Sequence, residues 1–105
     1  MSSRYRAYRE TILKDSYQGN DLLPICETFD RAAFDALLKK PDCAHIRIYY
    51  GMDESLKIHA IIVAGTAGGA DILPASALVE GESEDIVEAG NRCPDLCPEP
   101  SPLNT

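Results

Sequence analysis

The residues best equipped for chemistry lie near one end of the chain, in Cys93-Pro94-Asp95-Leu96-Cys97-Pro98. Two thiols in a C-x-x-x-C spacing are soft ligands for Cu(I) or Zn(II), and they are equally suited to disulfide exchange. The neighbouring prolines fix φ, so less conformational freedom is lost when both sulfurs are held together. A disulfide closing so short a loop stabilises by only about 2 kcal/mol in the chain-entropy picture. Such a bond suits a switch better than a structural clamp. Cys26 and Cys43 complete a set of four cysteines. Structural zinc sites take their ligands as two close pairs, whereas these two stand 17 positions apart. They read as small apolar side chains near the core.

A second polar group lies along an expected hairpin. His45, Arg47, Tyr49 and His59 fall on its polar side, and pairing Ile48 with Ile58 sets Arg47 opposite His59. Such a face can bind an anion or hold a histidine steered by an arginine; an ordinary solvated sheet face has the same composition. Other templates are absent. The glycine-rich Ala64–Gly69 stretch lacks the Lys-Ser/Thr pair of a phosphate loop, no His-Glu-x-x-His occurs, and the acidic run 80–88 lacks Ca²⁺-loop spacing. With no convergent acid, base and nucleophile, the expectation is a non-enzymatic binding or regulatory module without a cofactor. An aromatic sheet face, Tyr49 and Tyr50, would dock a protein partner or a second copy. The alternative is a thiol-dependent redox or soft-metal role, Cu(I) or Zn, for Cys93 and Cys97.

These residues need elements to position them. Tyr5, Tyr8 and Ile12 share one helical face, which predicts a helix over 3–17 with Ser3 as cap and Gly19-Asn20 as stop. Asp30 caps a second helix, Phe29 and Phe34 can form a hydrophobic staple, and Ala33, Phe34, Leu37 and Leu38 make its apolar face before Pro41 ends it. Alternation then predicts strands at 45–50 and 56–63, joined by a loop at 51–55. The second strand turns apolar on both faces toward its end, as a central strand does. Residues 66–71 read as a flexible loop and 72–80 as ambiguous. Residues 81–85 read as a solvated charge run, and 86–89 as a last short strand. Four of seven prolines fall within 94–102, so that end is expected to be extended. The fold expected is α+β: a small, mostly antiparallel sheet, two helices packed on it, and a proline-rich C-terminal tail. This is one domain over 1–105, with a core at 1–92 and a tail at 93–105.

Composition narrows the partners. At 105 residues, with 45% hydrophobic and 26% charged residues, the chain supports one ordinary core. Residues 1–59 carry nine bases and nine acids, while 60–105 carry Arg92 as sole base against eight acids, so the net −7 resides there. That balance repels phosphate backbones, and no nucleic-acid partner is expected. No apolar run approaches the roughly 20 residues of a membrane span, and no signal-like stretch follows Met1. The expectation is a cytoplasmic protein with no membrane contact.

Two resemblances follow from these motifs. The hexapeptide 93–98 resembles the C-P-D-[IV]-C-P copper motif of Sco-type cytochrome oxidase assembly proteins. That likeness implies a copper site completed by a histidine, a role open here to the upstream His45 and His59. In that family the motif lies early in a thioredoxin-like domain, whereas here eight residues follow Cys97. Across a longer span, the order Leu37-Leu38, Arg47-Ile48-Tyr49-Tyr50-Gly51-Met52, Ile58 to Val63, Gly69-Ala70-Asp71 and Cys93-Pro94-Asp95-Leu96-Cys97 resembles a family of small bacterial proteins. This second likeness implies a bacterial origin, the order of the fold and a shared C-P-x-x-C tail. It implies no activity.

Overall fold

Helix α2, Arg31–Leu38, forms where the capping pattern requires it. Asp30 takes the extended N-cap conformation, although its carboxylate makes no capping hydrogen bond. The Phe29 and Phe34 rings meet edge to face at 6.1 Å. Leu37 is fully buried with Ile62 and Ala64, and Phe29, Ala33, Phe34, Cys43 and Ile72 pack around them. Leu38 lies outside this cluster and is exposed, so the apolar face of the helix is narrower than the paired leucines imply.

The computed structural model describes residues 1–73, 86–87 and 90–104. After α1, Ser2–Tyr8, come strand β1, Cys26–Thr28, then α2, β2, His45–Met52, and β3, Ile58–Gly65. Strands β4, Asp71–Ile72, β5, Ile86–Val87, and β6, Asn91–Cys93, complete the order. The α+β class holds, with two helices and antiparallel strand pairs. β3 is central: β2 lies on one side, while β4 and β5 both pair with the other. Ala64 is opposite Ile72, Gly65 opposite Asp71, and Ile62 opposite Val87. Ile62, Val63 and Ala64 are all buried, as expected of a strand covered on both faces. β1 and β6 form a separate two-stranded sheet.

The chain parts into two compact units. One comprises Met1–Thr28, Met52–His59 and Asn91–Thr105; the other comprises Phe29–Gly51 and Ala60–Gly90. The segment expected as a tail from Cys93 belongs to the first. Its start is paired strand rather than free extension, because proline enters only after Cys93 has made its ladder contacts. Farther on, Arg6 donates to the carbonyls of Pro102 and Leu103, and Asn104 ties back to Glu99 and Ser101.

Three local expectations need correction. The first helix stops at Tyr8 rather than running to 17. Ile12 N–H still reaches the Tyr8 carbonyl, but Leu13 N–H turns back to Glu10, and Arg9 is drawn off to the Leu23 carbonyl. A separate 3₁₀ turn at Asp15–Tyr17 follows. The hairpin loop falls at 53–57, not 51–55, because Asp53 accepts the amides of Ser55 and Lys57 on its side chain. The 66–71 loop is a bonded turn: Thr66 Oγ1 accepts the Ala70 amide, and Gly69 supplies the φ of +96° that closes it. Of the ambiguous stretch 72–80, Ile72 is strand, and 74–80 lies outside the described residues, as do 81–85 and 88–89.

The packing of α2 makes an asymmetric prediction. Leu37→Ala should cost about 3 kcal/mol, as for a buried leucine whose cavity cannot collapse. Leu38→Ala should cost less than about 0.5 kcal/mol. Urea denaturation of the two variants measures both.

Candidate functional site

Cys93 and Cys97 come together because the backbone turns between them: the Leu96 amide donates to the Arg92 carbonyl at 2.8 Å. The two sulfurs form a disulfide with Cα atoms 4.5 Å apart. As a disulfide, neither offers a thiolate to a soft metal. Their surroundings differ. Cys93 is 2% exposed, whereas Cys97 lies at the surface.

What fixes this loop is Arg92, which the sequence marks only as a lone base in an acidic half. Its side chain is 4% exposed. Nε donates to the Ile58 carbonyl at 3.0 Å, and Nη2 donates to the carbonyls of Asp21 and Leu22 at 2.9 and 3.0 Å. Nη1 stands 3.6 Å from Asp95 Oδ2, and Lys57 Nζ is 3.8 Å from the same oxygen. Three carbonyl oxygens and one carboxylate thus compensate a desolvated cation. The signal available beforehand was position: a charged residue placed directly before a cysteine, a residue type that favours burial, must find partners or stay in water.

The polar hairpin group does not assemble as expected. His45, Arg47 and Tyr49 do share a face, for Gly65 approaches His45 and Arg47 and is paired with Asp71. Arg47 and the Tyr49 hydroxyl both engage the Asp71 carboxylate. His59 belongs to the other unit. The hairpin is bonded at its ends from Ala44 to Gly65 and from Asp53 to Lys57, a register that does not set Ile48 opposite Ile58. His59 Nε2 lies 2.7 Å from Asp53 Oδ2, and Nδ1 is 3.8 Å from Glu27 Oε2. His59 is therefore anchored through Nε2 by Asp53, while Nδ1 stands beyond hydrogen-bond distance of Glu27. Asp53 escaped the sequence reading because the loop was placed two residues early, and Glu27 because it lies on β1, far from His59 in sequence.

The hydrogen bond from His59, and then the Lys57 amide, hold the Asp53 carboxyl below the usual carboxylate range. The Tyr49 hydroxyl, followed by Arg47, does the same to Asp71. Tyr49 and Tyr50 point to opposite faces, so they form no single aromatic surface. Tyr50 is 80% exposed, and Ile46 and Ile48 on its side are exposed as well.

In the first unit an apolar cleft of about 270 Å³ is lined by Leu13, Leu22, Leu23, Met52, Leu56 and Ile58. Leu56 enters it from a left-handed backbone, φ 67°, a conformation that costs a branched residue about 1 kcal/mol or more. Among the described residues no three histidine, cysteine or acidic side chains group as a metal site, and no helix is long and apolar enough to cross a membrane. Comparison with protein-family models, with curated proteins and with solved structures finds no match.

Two predictions follow from these contacts. Arg92→Met, close in length, takes the guanidinium donors from the Asp21 and Ile58 carbonyls, while Leu22 keeps the Ile58 amide and Asp95 keeps Lys57; it should cost about 3 kcal/mol. Arg31→Met, at an exposed helix position, should change stability by less than about 0.5 kcal/mol in the same denaturation assay. For Asp71 the folded pKa lies below the unfolded one. Its contribution is therefore complete above the ordinary carboxylate range and is lost as pH falls through the depressed folded value. Asp71→Asn should lower Tm near neutrality, and the gap from the parent protein should close as pH drops below about 4. A melting series from neutral to strongly acid pH tests the sign.

Proposed function

We propose that this chain is a non-enzymatic binding module that docks through the open edge of β2, and that its partner is a second copy. The observation that carries this reading is the edge itself. β2 is eight residues long, and among the described residues it has a neighbour on one side only. Natural sheets blunt such edges with proline, lysine, bulges or brevity. β2 contains no proline, no lysine and no acid, and its one arginine is already engaged by Asp71.

The same strand offers an apolar row. Ile72 and Ala64 face α2 together, while Asp71 and Gly65 face the other way with His45 and Arg47. By alternation Ile46, Ile48 and Tyr50 lie on the α2 side, yet they are exposed. The helix packs over β3 and leaves them uncovered. About Ile48 the strand is self-complementary. An antiparallel twofold pairing there sets Ile46 against Tyr50 of the second copy, Ile48 against Ile48, and Arg47 against Tyr49. Those are aliphatic–aromatic, aliphatic and cation–π pairs, with no like charges opposed. β2 lies in the charge-balanced part of the sequence, 1–59, so two copies can approach there without the repulsion of the acidic half.

A second reading is favoured by one specific observation, the Cys93–Cys97 disulfide. It supports thiol–disulfide exchange at the surface sulfur of Cys97 as the role of this pair.

Light scattering across a concentration series tests self-pairing. The expected result is a monomer–dimer equilibrium that Ile48→Lys weakens at least about tenfold, roughly 1.4 kcal/mol, by opposing two charges on the axis. Ile48→Cys should cross-link to itself under mild oxidation, because facing Cα atoms across an antiparallel pair stand about 4.5–5.5 Å apart. Ile46→Cys, which faces position 50, should not. A chain that stays monomeric at every concentration removes the proposal.

A further inference from the structure

We infer that Cys26 is the third member of the Cys93–Cys97 site and exchanges into its disulfide, an inference that rests on the thiol–disulfide reading of that pair. The antiparallel register of β1 and β6 sets Cys26 directly opposite Cys93, with Glu27 opposite Arg92 and Thr28 opposite Asn91. Directly opposed residues have Cα atoms about 4.5–5.5 Å apart and send their side chains to the same face of the sheet. That separation lies within the span a disulfide bridges. Cys26 is a free thiol and half-buried.

The three sulfurs are thus arranged by accessibility. Cys97 is open to solvent, Cys93 is buried, and the residue facing Cys93 across the ladder is Cys26. A thiol from solution meets Cys97. Cys93 is met from within. Disulfide exchange proceeds by a thiolate attacking one sulfur while the other leaves. Here the Cys26 thiolate attacks Cys93 Sγ and the Cys26–Cys93 bond forms. The Cys93–Cys97 bond breaks with its electron pair going to Cys97, which takes up the proton that Cys26 released. One thiol and one disulfide stand on each side of this step, so no outside oxidant or reductant enters. The outcome is a disulfide buried across β1 and β6 and a free thiol displayed at Cys97, where a disulfide-bearing partner can reach it.

Cys43 has no part in this. It packs against the Leu37 cluster in the other unit, and it serves as an internal reference.

The test uses the full chain with Cys43→Ser as parent, alkylated with iodoacetamide over time and mapped without reduction. The expected parent gives two isomers, Cys93–Cys97 with labelled Cys26 and Cys26–Cys93 with labelled Cys97. Cys26→Ser should slow labelling of Cys97 at least about tenfold. Adding Cys97→Ser instead should leave a Cys26–Cys93 disulfide in a glutathione redox buffer. If that variant keeps both thiols free in the buffer that oxidises Cys93 and Cys97 in the parent, the role of Cys26 is overturned and the pair stands. If the parent itself forms no Cys93–Cys97 disulfide, the underlying reading falls with it. Circular dichroism checks that each variant folds, and a Cys97→Ser chain that does not fold leaves the Cys97 labelling rate to decide.

Discussion

A guanidinium with almost no contact with water organises the first unit. Arg92 draws the carbonyls of Asp21, Leu22 and Ile58 to one point, so it ties two chain segments, 21–22 and 58, to its own strand. Backbone carbonyls are ideal partners for a planar cation, since each brings a partial charge that was already committed to a rigid frame. The arrangement also explains why the neighbouring cysteine is buried: β6 is held inward by its arginine, and Cys93 follows directly. The Cys93–Cys97 disulfide is therefore held beside an electrostatic anchor. Losing one partner of such an anchor is far worse than never having had it, because the remaining groups stay dry and unpaired.

The second unit depends on a different principle. Its core is small, centred on Leu37, Ile62 and Ala64, and α2 is only eight residues long. A helix that short covers roughly 12 Å of sheet. It shields the central strand and cannot also shield the outer one, so the apolar row on β2 follows from geometry as much as from composition. Meanwhile the opposite face of β2 is closed upon itself by Arg47, Tyr49 and Asp71. One side of the strand is electrically quiet and the other is apolar, a combination suited to contact with another surface and ill suited to open water.

Much of this was legible in the residues. The α+β class, α2 with its phenylalanine pair, the hairpin and the two-sided burial of β3 all follow from period and capping. The first helix failed because the Tyr5, Tyr8, Ile12 spacing satisfies helical period, yet tertiary pull on Arg9 outweighs a marginal propensity. The loop at 53–57 escaped because Asp53 nucleates the turn through its own side chain, a local bond that competes with the apparent alternation. At the thiol site the pair 93 and 97 could be read from spacing alone. Cys26 could not, because its relation to Cys93 exists only through a strand pairing between residues near the two ends of the chain, and no local pattern encodes a long-range register.

That register has a topological consequence. A bond between Cys93 and Cys97 closes a ring of five residues, whereas one between Cys26 and Cys93 would enclose about two-thirds of the polypeptide. In the chain-entropy picture the larger ring restricts the unfolded ensemble by about 4.4 kcal/mol against about 2 kcal/mol for the smaller. Moving a single sulfur–sulfur link between neighbouring atoms would thus convert a local staple into a lasso that holds all of the second unit inside its loop. The folded molecule would look almost the same in both states. The unfolded chain would not, and resistance to heat, to pulling and to proteases would differ accordingly.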